Sequence, residues 1–235
     1  MATLLDDGSW EIQGTRVTFP VRIGHAVAAC ATYLVRADRA AALVAGTGLE
    51  LVTVAGRTPL VLALVDYRVN DLGVYDEVGV ALLVRHRGGT GAYIHQLPVT
   101  QPFTLEAGRA LWGLPKWLAR AELSIAGPDA TCHLADDAGR HVLTAALRTL
   151  PWRLPLRVPG TVTAFAPRDG EVLASRVRAR IGGIRVAPGG ARVVLGSGHP
   201  MADELRALRL PRRPLLTVTA DQVSFEMDPA QPRPR

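Results

Sequence analysis

The 235-residue chain lacks several features that would assign it to a common class of protein. Its two cysteines, Cys30 and Cys132, are too few for a disulfide framework, so we expect a reduced, cytoplasmic setting. No run of about 18–20 apolar residues is present, and we therefore expect no membrane-spanning helix and no membrane partner. Asp6 and Asp7 stand where a signal peptide needs basic charge, so we expect no signal peptide.

Aromatic residues are scarce, at 5% of the chain, although the formal net charge of +6 would suit a nucleic-acid partner. Arg176, Arg178 and Arg180 alternate with apolar residues and so share one face of a predicted strand. Because no aromatic stacking platform accompanies them, we interpret this face as solvated or as a subunit contact and expect no nucleic-acid partner. Zinc-type spacing, a Walker-type loop and a G-x-S-x-G elbow are all missing, so we expect no metal and no cofactor.

Lysine is the scarcest charged residue. Lys116 is the one lysine of the sequence, and the other 26 of the 27 basic residues are arginines. Both cations keep a surface soluble, but only lysine loses its proton when buried and becomes a nucleophile. Lys116 is therefore a candidate for amine chemistry, with chance survival of one surface lysine as the alternative.

Short β-type runs separated by turn residues dominate the pattern. We predict strands over residues 16–23, 27–35, 49–54, 60–69, 75–86, 92–98, 131–135, 140–147, 160–165, 171–181, 191–195 and 215–225. Helices are predicted over 38–45, with Asp38 as N-cap, and over 104–112 and 201–208. This pattern predicts a mainly β (α+β) fold: one domain, residues 1–227, forming a closed or nearly closed antiparallel β-barrel with a few peripheral helices. The proline-rich tail, 228–235, is expected to be loose.

Two short segments carry the candidate chemistry. In the first, Lys116 follows Pro115 and lies among the apolar residues Trp112, Leu114 and Trp117. A lysine in water is neutral in only about one molecule in 2,500 at pH 7, and burial among such neighbours would lower its pKa. In the second segment, strand alternation places Tyr75 and Glu77 on one face and Asp76 on the other. A carboxylate beside a neutral amine can act as general acid and base.

Together these segments resemble the acetoacetate decarboxylase family, which has a Tyr-x-Glu element on a strand and a Gly-Arg…Pro-Lys element. Here these are Tyr75-Asp76-Glu77 and Gly108-Arg109 with Pro115-Lys116, and 39 residues separate the glutamate from the lysine. The resemblance runs from about residue 16 to residue 227. It implies a cone-like, mainly β barrel in a multimer, with Lys116 as a Schiff-base lysine and Glu77 as the nearby acid.

The chain also departs from that family. Trp117 replaces a second lysine directly after the first, Leu62 falls where an upstream glutamate is expected, and Val35 falls on a family arginine with Arg36 one place off. A different or larger substrate than acetoacetate is therefore expected. The residues that we expect to contact the substrate are Tyr75, Leu62, Arg36, Arg109, Trp112 and Trp117.

Three functions remain open at this point. The first is a Schiff-base lyase acting on a keto acid or related carbonyl compound, by decarboxylation or by an aldol, dehydration or cyclisation step through an enamine, as in secondary metabolism. The second is a non-covalent enzyme in which Lys116 and Glu77 act as acid and base. The third is a non-catalytic barrel that binds a small molecule.

Overall fold

The computed structural model describes residues 2–233 and contains, over that range, 16 strands and three helices. The strands are β1 (Thr3–Leu4), β2 (Trp10–Ile12), β3 (Thr15–Val17), β4 (Val21–Arg36), β5 (Glu50–Leu51), β6 (Arg57–Asn70), β7 (Tyr75–His86), β8 (Gly89–Val99), β9 (Lys116–Ala126), β10 (Asp129–Asp136), β11 (His141–Arg148), β12 (Val158–Arg168), β13 (Glu171–Ala187), β14 (Ala191–Leu195), β15 (Leu216–Met227) and β16 (Gln231–Arg233). The helices are α1 (Ala37–Val44), α2 (Pro102–Trp112) and α3 (Pro200–Ala207).

Seven strands close into a barrel. Their order is β8-β12-β13-β15-β4-β6-β7, and β7 pairs again with β8 to complete the ring. All neighbours in the ring are antiparallel except β8 and β12, which pair in parallel at Ala92–Ala164 and Tyr93–Phe165. The prediction of a mainly β barrel with peripheral helices is confirmed.

A second group of strands branches from this barrel. Strand β9 pairs in parallel with β8 through only three residue pairs and then continues outward with β10, β11 and β14. We call β9, β10, β11 and β14 the side sheet. Lys116 is the first residue of β9 and therefore lies where the side sheet leaves the barrel.

Strand alternation divides the barrel wall into two faces. On β6 and β7 the outer face carries Leu62, Leu64, Val78 and Val80, which pack into one buried cluster with Leu134 of the side sheet. The inner face carries Val65 opposite Glu77, and Ala63 opposite Gly79. We call the space bounded by this inner face the lumen. One step from Glu77 this wall carries the small residues Ala63 and Gly79, whereas the large aliphatic residues Leu62 and Leu64 lie between the barrel and the side sheet.

The structure corrects several element predictions. Strand β9 was not predicted, and the strand expected over 49–54 shrinks to β5. The run expected over 16–23 is divided between β3 and β4, because a break at Thr18–Pro20 interrupts it. Asp38 is not the N-cap of α1: Arg36 occupies that position, and Asp38 lies in the first turn, paired with the Arg36 guanidinium.

The C-terminal tail also differs from expectation within the described residues. Strand β16 pairs with β13 through three residue pairs, and the carbonyl oxygen of Asp228 accepts a hydrogen bond from the Trp112 indole. Residues 234 and 235 of the predicted loose tail lie outside the described residues. One sheet takes strands from both halves of the chain, and this supports our proposal that the residues up to 227 form one domain.

None of the helices within residues 2–233 combines the length and the hydropathy that are needed to cross a bilayer.

Candidate active site

The amine of Lys116 is buried and bonded on two sides. The side chain is 3% exposed, and its Nζ donates to the hydroxyl of Thr104 at 2.9 Å. The same nitrogen lies 3.0 Å from Oε2 of Glu77, whose side chain is 9% exposed. Nζ also lies 5.0 Å from the centre of the Tyr75 ring, close enough for a cation–π contact. The structure therefore brings the two predicted catalytic residues together in a buried site.

Helix α2 and its C-terminal turn place Lys116. Gly113 ends the helix in the left-handed conformation, with φ 67°, and its N–H bonds back to the helix carbonyls, so the chain reverses into β9. The Lys116 side chain then lies along α2 beside Gly108. A Cβ atom added at Gly108 would stand 2.5 Å from Cδ of Lys116 and 2.6 Å from its Cε. The Lys116 side chain therefore occupies the space that a side chain at Gly108 would need.

Glu77 is held by the neighbouring strand. Tyr67 of β6 donates its hydroxyl to Oε1 of Glu77 at 3.0 Å, and its ring stacks on Tyr75 at a centroid distance of 4.4 Å. Asp76 projects to the opposite face, as alternation predicts, where burial and the facing Asp66 raise the pKa of the Asp76 carboxyl to about 6. One oxygen of Glu77 thus faces the phenol and the other faces the amine.

Electrostatics at this site contradict one prediction from the sequence. Burial does lower the pKa of Lys116, but the Glu77 carboxylate and the Tyr75 phenol together raise it, and the net pKa lies above the ordinary value. The prediction that burial alone lowers the pKa was wrong, because it omitted a counter-ion at hydrogen-bond distance. The phenols respond in the same sense: burial raises the pKa of Tyr67 well above its usual range, and the adjacent Glu77 adds to the shift.

Two predicted substrate contacts are not brought to this site. Leu62 is 1% exposed and lies opposite Val80, on the outer face of the barrel wall, because it is an odd number of residues from Val65. Arg36 is exposed and paired with Asp38 at the far end of β4. It lies eight residues beyond Ala28, the β4 residue level with Glu77, which corresponds to about 26 Å of strand.

Arg109 and Trp112 make contacts that hold the backbone in place. Arg109 donates from Nε to the carbonyl oxygen of Lys116 at 2.7 Å and so fixes the start of β9. Trp112 is 3% exposed and packs edge-on against Phe19 at a centroid distance of 6.0 Å. Both residues were predicted to contact the substrate, and the structure gives them contacts within the protein.

Trp117 projects to the opposite side of β9 from Lys116. Its indole donates to Oε1 of Gln96 at 3.0 Å and packs against His199 at a centroid distance of 4.9 Å. Gln96 and His95 in turn contact the Glu204 carboxylate of α3, each at 2.9 Å. This cluster fastens α3 onto β8 and β9, so Trp117 anchors the strand that begins with the lysine.

The sequence reasoning did not identify Thr104 and Tyr67, although signals for both were present. Thr104 lies four residues before Gly108 on α2, and residues four apart share one face of a helix. Tyr67 lies opposite Tyr75 across the β6–β7 hairpin. The register of that hairpin depends on the turn at residues 71–74, which pattern alone does not determine. Among residues 2–233, no three His, Cys, Asp or Glu side chains converge to bind a metal ion.

The family profile and the related sequences that match this chain all point to one family. The sequence profile of the family "Acetoacetate decarboxylase (ADC)" matches residues 13–220. The acetoacetate decarboxylase of Acidiphilium cryptum is 38% identical over 53 residues, 23% of this chain and 22% of that protein. Acetoacetate decarboxylase 1 of Bradyrhizobium diazoefficiens is also 38% identical over 53 residues, 23% of this chain and 21% of that protein. These alignments span only about a fifth of each relative.

Solved structures share the fold over nearly the whole chain. Acetoacetate decarboxylase from Legionella pneumophila matches with a TM-score of 0.72 at 15% identity, covering 91% of this chain and 87% of that one. The enduracididine biosynthesis enzyme MppR complexed with pyruvate gives 0.66 at 17% identity, covering 97% and 94%. An acetoacetate decarboxylase-like enzyme from Sphingomonas wittichii gives 0.60 at 16%, covering 93% and 94%. With the family profile matching well over half of its length, the chain belongs to the acetoacetate decarboxylase family.

Proposed function

We propose that this protein is a lyase that forms a Schiff base between Lys116 and a keto acid or a related carbonyl compound. The observation that carries the proposal is the buried Lys116 amine, 3% exposed and 3.0 Å from the Glu77 carboxylate. Membership of the family, and a fold shared with an enzyme complexed with pyruvate, support a carbonyl substrate.

A cationic amine cannot attack a carbonyl, so the proton must first leave Lys116. Glu77 is placed to take it, since one hydrogen bond already joins Nζ to Oε2. The transfer converts an ion pair into a neutral pair and leaves the net charge of the buried site unchanged. For this reason it avoids the penalty that burial imposes on an isolated charge.

The remaining steps use the same two groups. Neutral Nζ bonds to the carbonyl carbon as the C=O π pair moves to oxygen, and a second proton passes from nitrogen to that oxygen to give the carbinolamine. Protonated Glu77 then returns its proton to the hydroxyl, which leaves as water. The iminium ion then faces the Glu77 carboxylate. A 3-oxo acid then loses its carboxyl group as carbon dioxide, or an oxo acid loses a proton from the carbon beside the former carbonyl. The electron pair left on that carbon forms a C=C bond while the C=N π pair moves to nitrogen, which gives an enamine. Protonation of the enamine carbon and hydrolysis release the product and regenerate the amine.

Trapping tests this proposal directly. The protein is incubated with pyruvate and other oxo acids in borohydride, and intact mass is followed by peptide mapping. Because Lys116 is the one lysine, an adduct on a lysine side chain has a single possible position. We expect the mass increase on the peptide that contains Lys116 and none there in Lys116→Arg, which also reports any background reaction at the N-terminal amine.

A second function is favoured by one observation, the pKa of Lys116 raised by Glu77 and Tyr75 against the lowering effect of burial. A lysine that stays cationic would act as a charged clamp or proton donor, with no covalent intermediate. In that case Lys116→Arg keeps part of the turnover and no carbonyl compound gives an adduct. Full activity in Lys116→Arg, or the absence of any adduct, rejects the Schiff-base proposal.

A further inference from the structure

The lumen wall beside Glu77 carries several small side chains. One step beyond the Glu77 level, three adjacent strands place Gly79, Ala63 and Cys30 opposite one another. At the Glu77 level itself, Val65 and Ala28 continue the wall across β6 and β4. We call Gly79, Ala63, Cys30 and Ala28 the lumen floor. Their side chains are among the smallest available. Leu97 lies over Gly79, so the space that larger residues would fill in a packed barrel is left beside Ala63, Cys30 and Ala28.

Surface exposure supports an internal space over this floor. Ala28, Cys30 and Ala63 each keep part of their surface accessible, whereas the outward-facing residues between them on the same strands are buried. Cys30 lies in a desolvated environment, and burial raises the pKa of its thiol to about 11. The accessible part of these three side chains therefore lies on the face of the strands that Glu77 shares, opposite the fully buried outer face.

The polarity of this wall is low. From Glu77 to Ala81 on β7 the inner face runs for about 13 Å, and its facing residues on β6 are Val65, Ala63 and Val61. The β4 positions level with them are Ala28, Cys30 and Thr32. Within this part of the described chain, the thiol and one hydroxyl are the polar side-chain groups of the wall beyond Glu77, and none of these positions is charged.

We infer that the substrate carries an extended alkyl or aryl group on its carbonyl carbon, and that this group lies along the lumen floor while the carbonyl faces Lys116. The inference rests on the proposed function for the position of the carbonyl. It adds the substrate class: an apolar oxo acid larger than pyruvate or acetoacetate.

Burial of apolar surface sets the expected size of the effect. Each methylene removed from water gains about 0.8 kcal/mol, which corresponds to roughly a fourfold change in affinity. Straight-chain 2-oxo acids from pyruvate to 2-oxooctanoate should therefore bind progressively more tightly, until the alkyl chain is as long as the lumen floor.

The experiment measures that series in two ways. Borohydride trapping on Lys116 gives the concentration for half-maximal labelling by each oxo acid. Calorimetric titration with the corresponding saturated acids, which have no ketone to react, gives affinity independently of imine formation. The variants are Ala63→Leu and the milder Gly79→Ala, whose added Cβ would lie 3.4 Å from Cδ1 of Leu97 and 3.7 Å from Cβ of Ala63, ordinary contact distances. Thr161→Leu, exposed on β12, is the matched control that adds apolar bulk outside the lumen.

We expect affinity to rise with chain length in the wild type and in Thr161→Leu. In Ala63→Leu the ratio of long-acid to pyruvate affinity should fall at least tenfold, with a smaller fall in Gly79→Ala. A flat calorimetric series, or an unchanged ratio in both lumen variants, overturns the inference. Length-dependent binding without any adduct on Lys116 rejects the Schiff-base proposal and leaves the assignment of the apolar cavity intact.

Discussion

At the residue level, the contact between Lys116 and Glu77 decides how the amine behaves. Two opposing effects act on Nζ: desolvation favours the neutral amine, whereas the carboxylate and the Tyr75 phenol favour the cation and prevail. Because the folded-state pKa lies above the unfolded value, the pair stabilises the fold fully below about pH 10.4. This contribution is lost as the pH rises through the folded-state pKa.

Removing the carboxylate should reverse the balance. In Glu77→Gln, burial remains and the main opposing charge is gone, so the pKa of Lys116 should fall. We expect adduct formation with pyruvate and cyanoborohydride to reach half its maximum at a lower pH than in the wild type, even though turnover falls. Glu122→Gln, which alters an exposed carboxylate on β9, is the control and should leave the profile unchanged. An unaltered pH profile in Glu77→Gln would show that the carboxylate does not govern the amine.

At the element level, helix α2 and strand β9 together hold Lys116 in position. Gln101 caps the helix by accepting from the N–H of Thr104, and Gly113 ends it. A helix-interior glycine costs about 1 kcal/mol relative to alanine, so Gly108 weakens α2. Glycine is needed at this position despite that cost, because any side chain here would occupy the space of the Lys116 side chain.

Gly108→Ala separates helix stability from site geometry. Alanine is the better helix former, but its Cβ would displace the Lys116 stem and move Nζ away from Glu77 and Thr104. We expect the rate of adduct formation to fall at least tenfold. Ala110→Gly on the same helix should do the opposite: the free energy of unfolding, measured in urea, drops by about 1 kcal/mol while trapping persists. Equal trapping rates in Gly108→Ala and the wild type would contradict this account.

At the scale of the whole molecule, the site forms where the barrel and the side sheet part. A second junction joins the segment at residues 149–157, which connects β11 to β12, to the barrel through the Arg185 guanidinium, whose side chain is 6% exposed. Arg185 donates to Oδ1 of Asp221 at 2.8 Å and to the carbonyl oxygen of Pro151 at 3.3 Å. Asp221 also pairs with Arg153 at 2.7 Å. This segment therefore belongs to the same folded unit as the barrel strands around it.

Asp221→Asn should weaken that junction. The variant leaves the buried Arg185 cation without its counter-ion, and such losses cost about 3–5 kcal/mol of the free energy of unfolding. Urea titration gives the value. Asp169→Asn is the control, because the Asp169 side chain is 92% exposed and 3.8 Å from Arg168, so a change under about 0.5 kcal/mol is expected. A similar small change in Asp221→Asn would show that Arg185 has other adequate partners.

The sequence alone determined most of what depends on local pattern. Alternation along 75–86 fixed which side chains share a face with Glu77, and the helix-ending glycine followed by Pro115 located the turn before Lys116. The scarcity of lysine marked Lys116 as the candidate for amine chemistry. These features are recoverable because each is set by residues within a few positions of one another.

Tertiary structure decided the rest, because register and burial depend on residues far apart in the chain. The β6–β7 register turned Leu62 out of the barrel and brought Tyr67 to Glu77, and a shift of one residue would have exchanged the two faces. The charge state of the amine depended on a carboxylate 39 residues away that folding places 3.0 Å from it. Attraction to that carboxylate, together with the Tyr75 phenol and the hydrogen bonds to both, outweighs the effect of burial. No local pattern contains that distance.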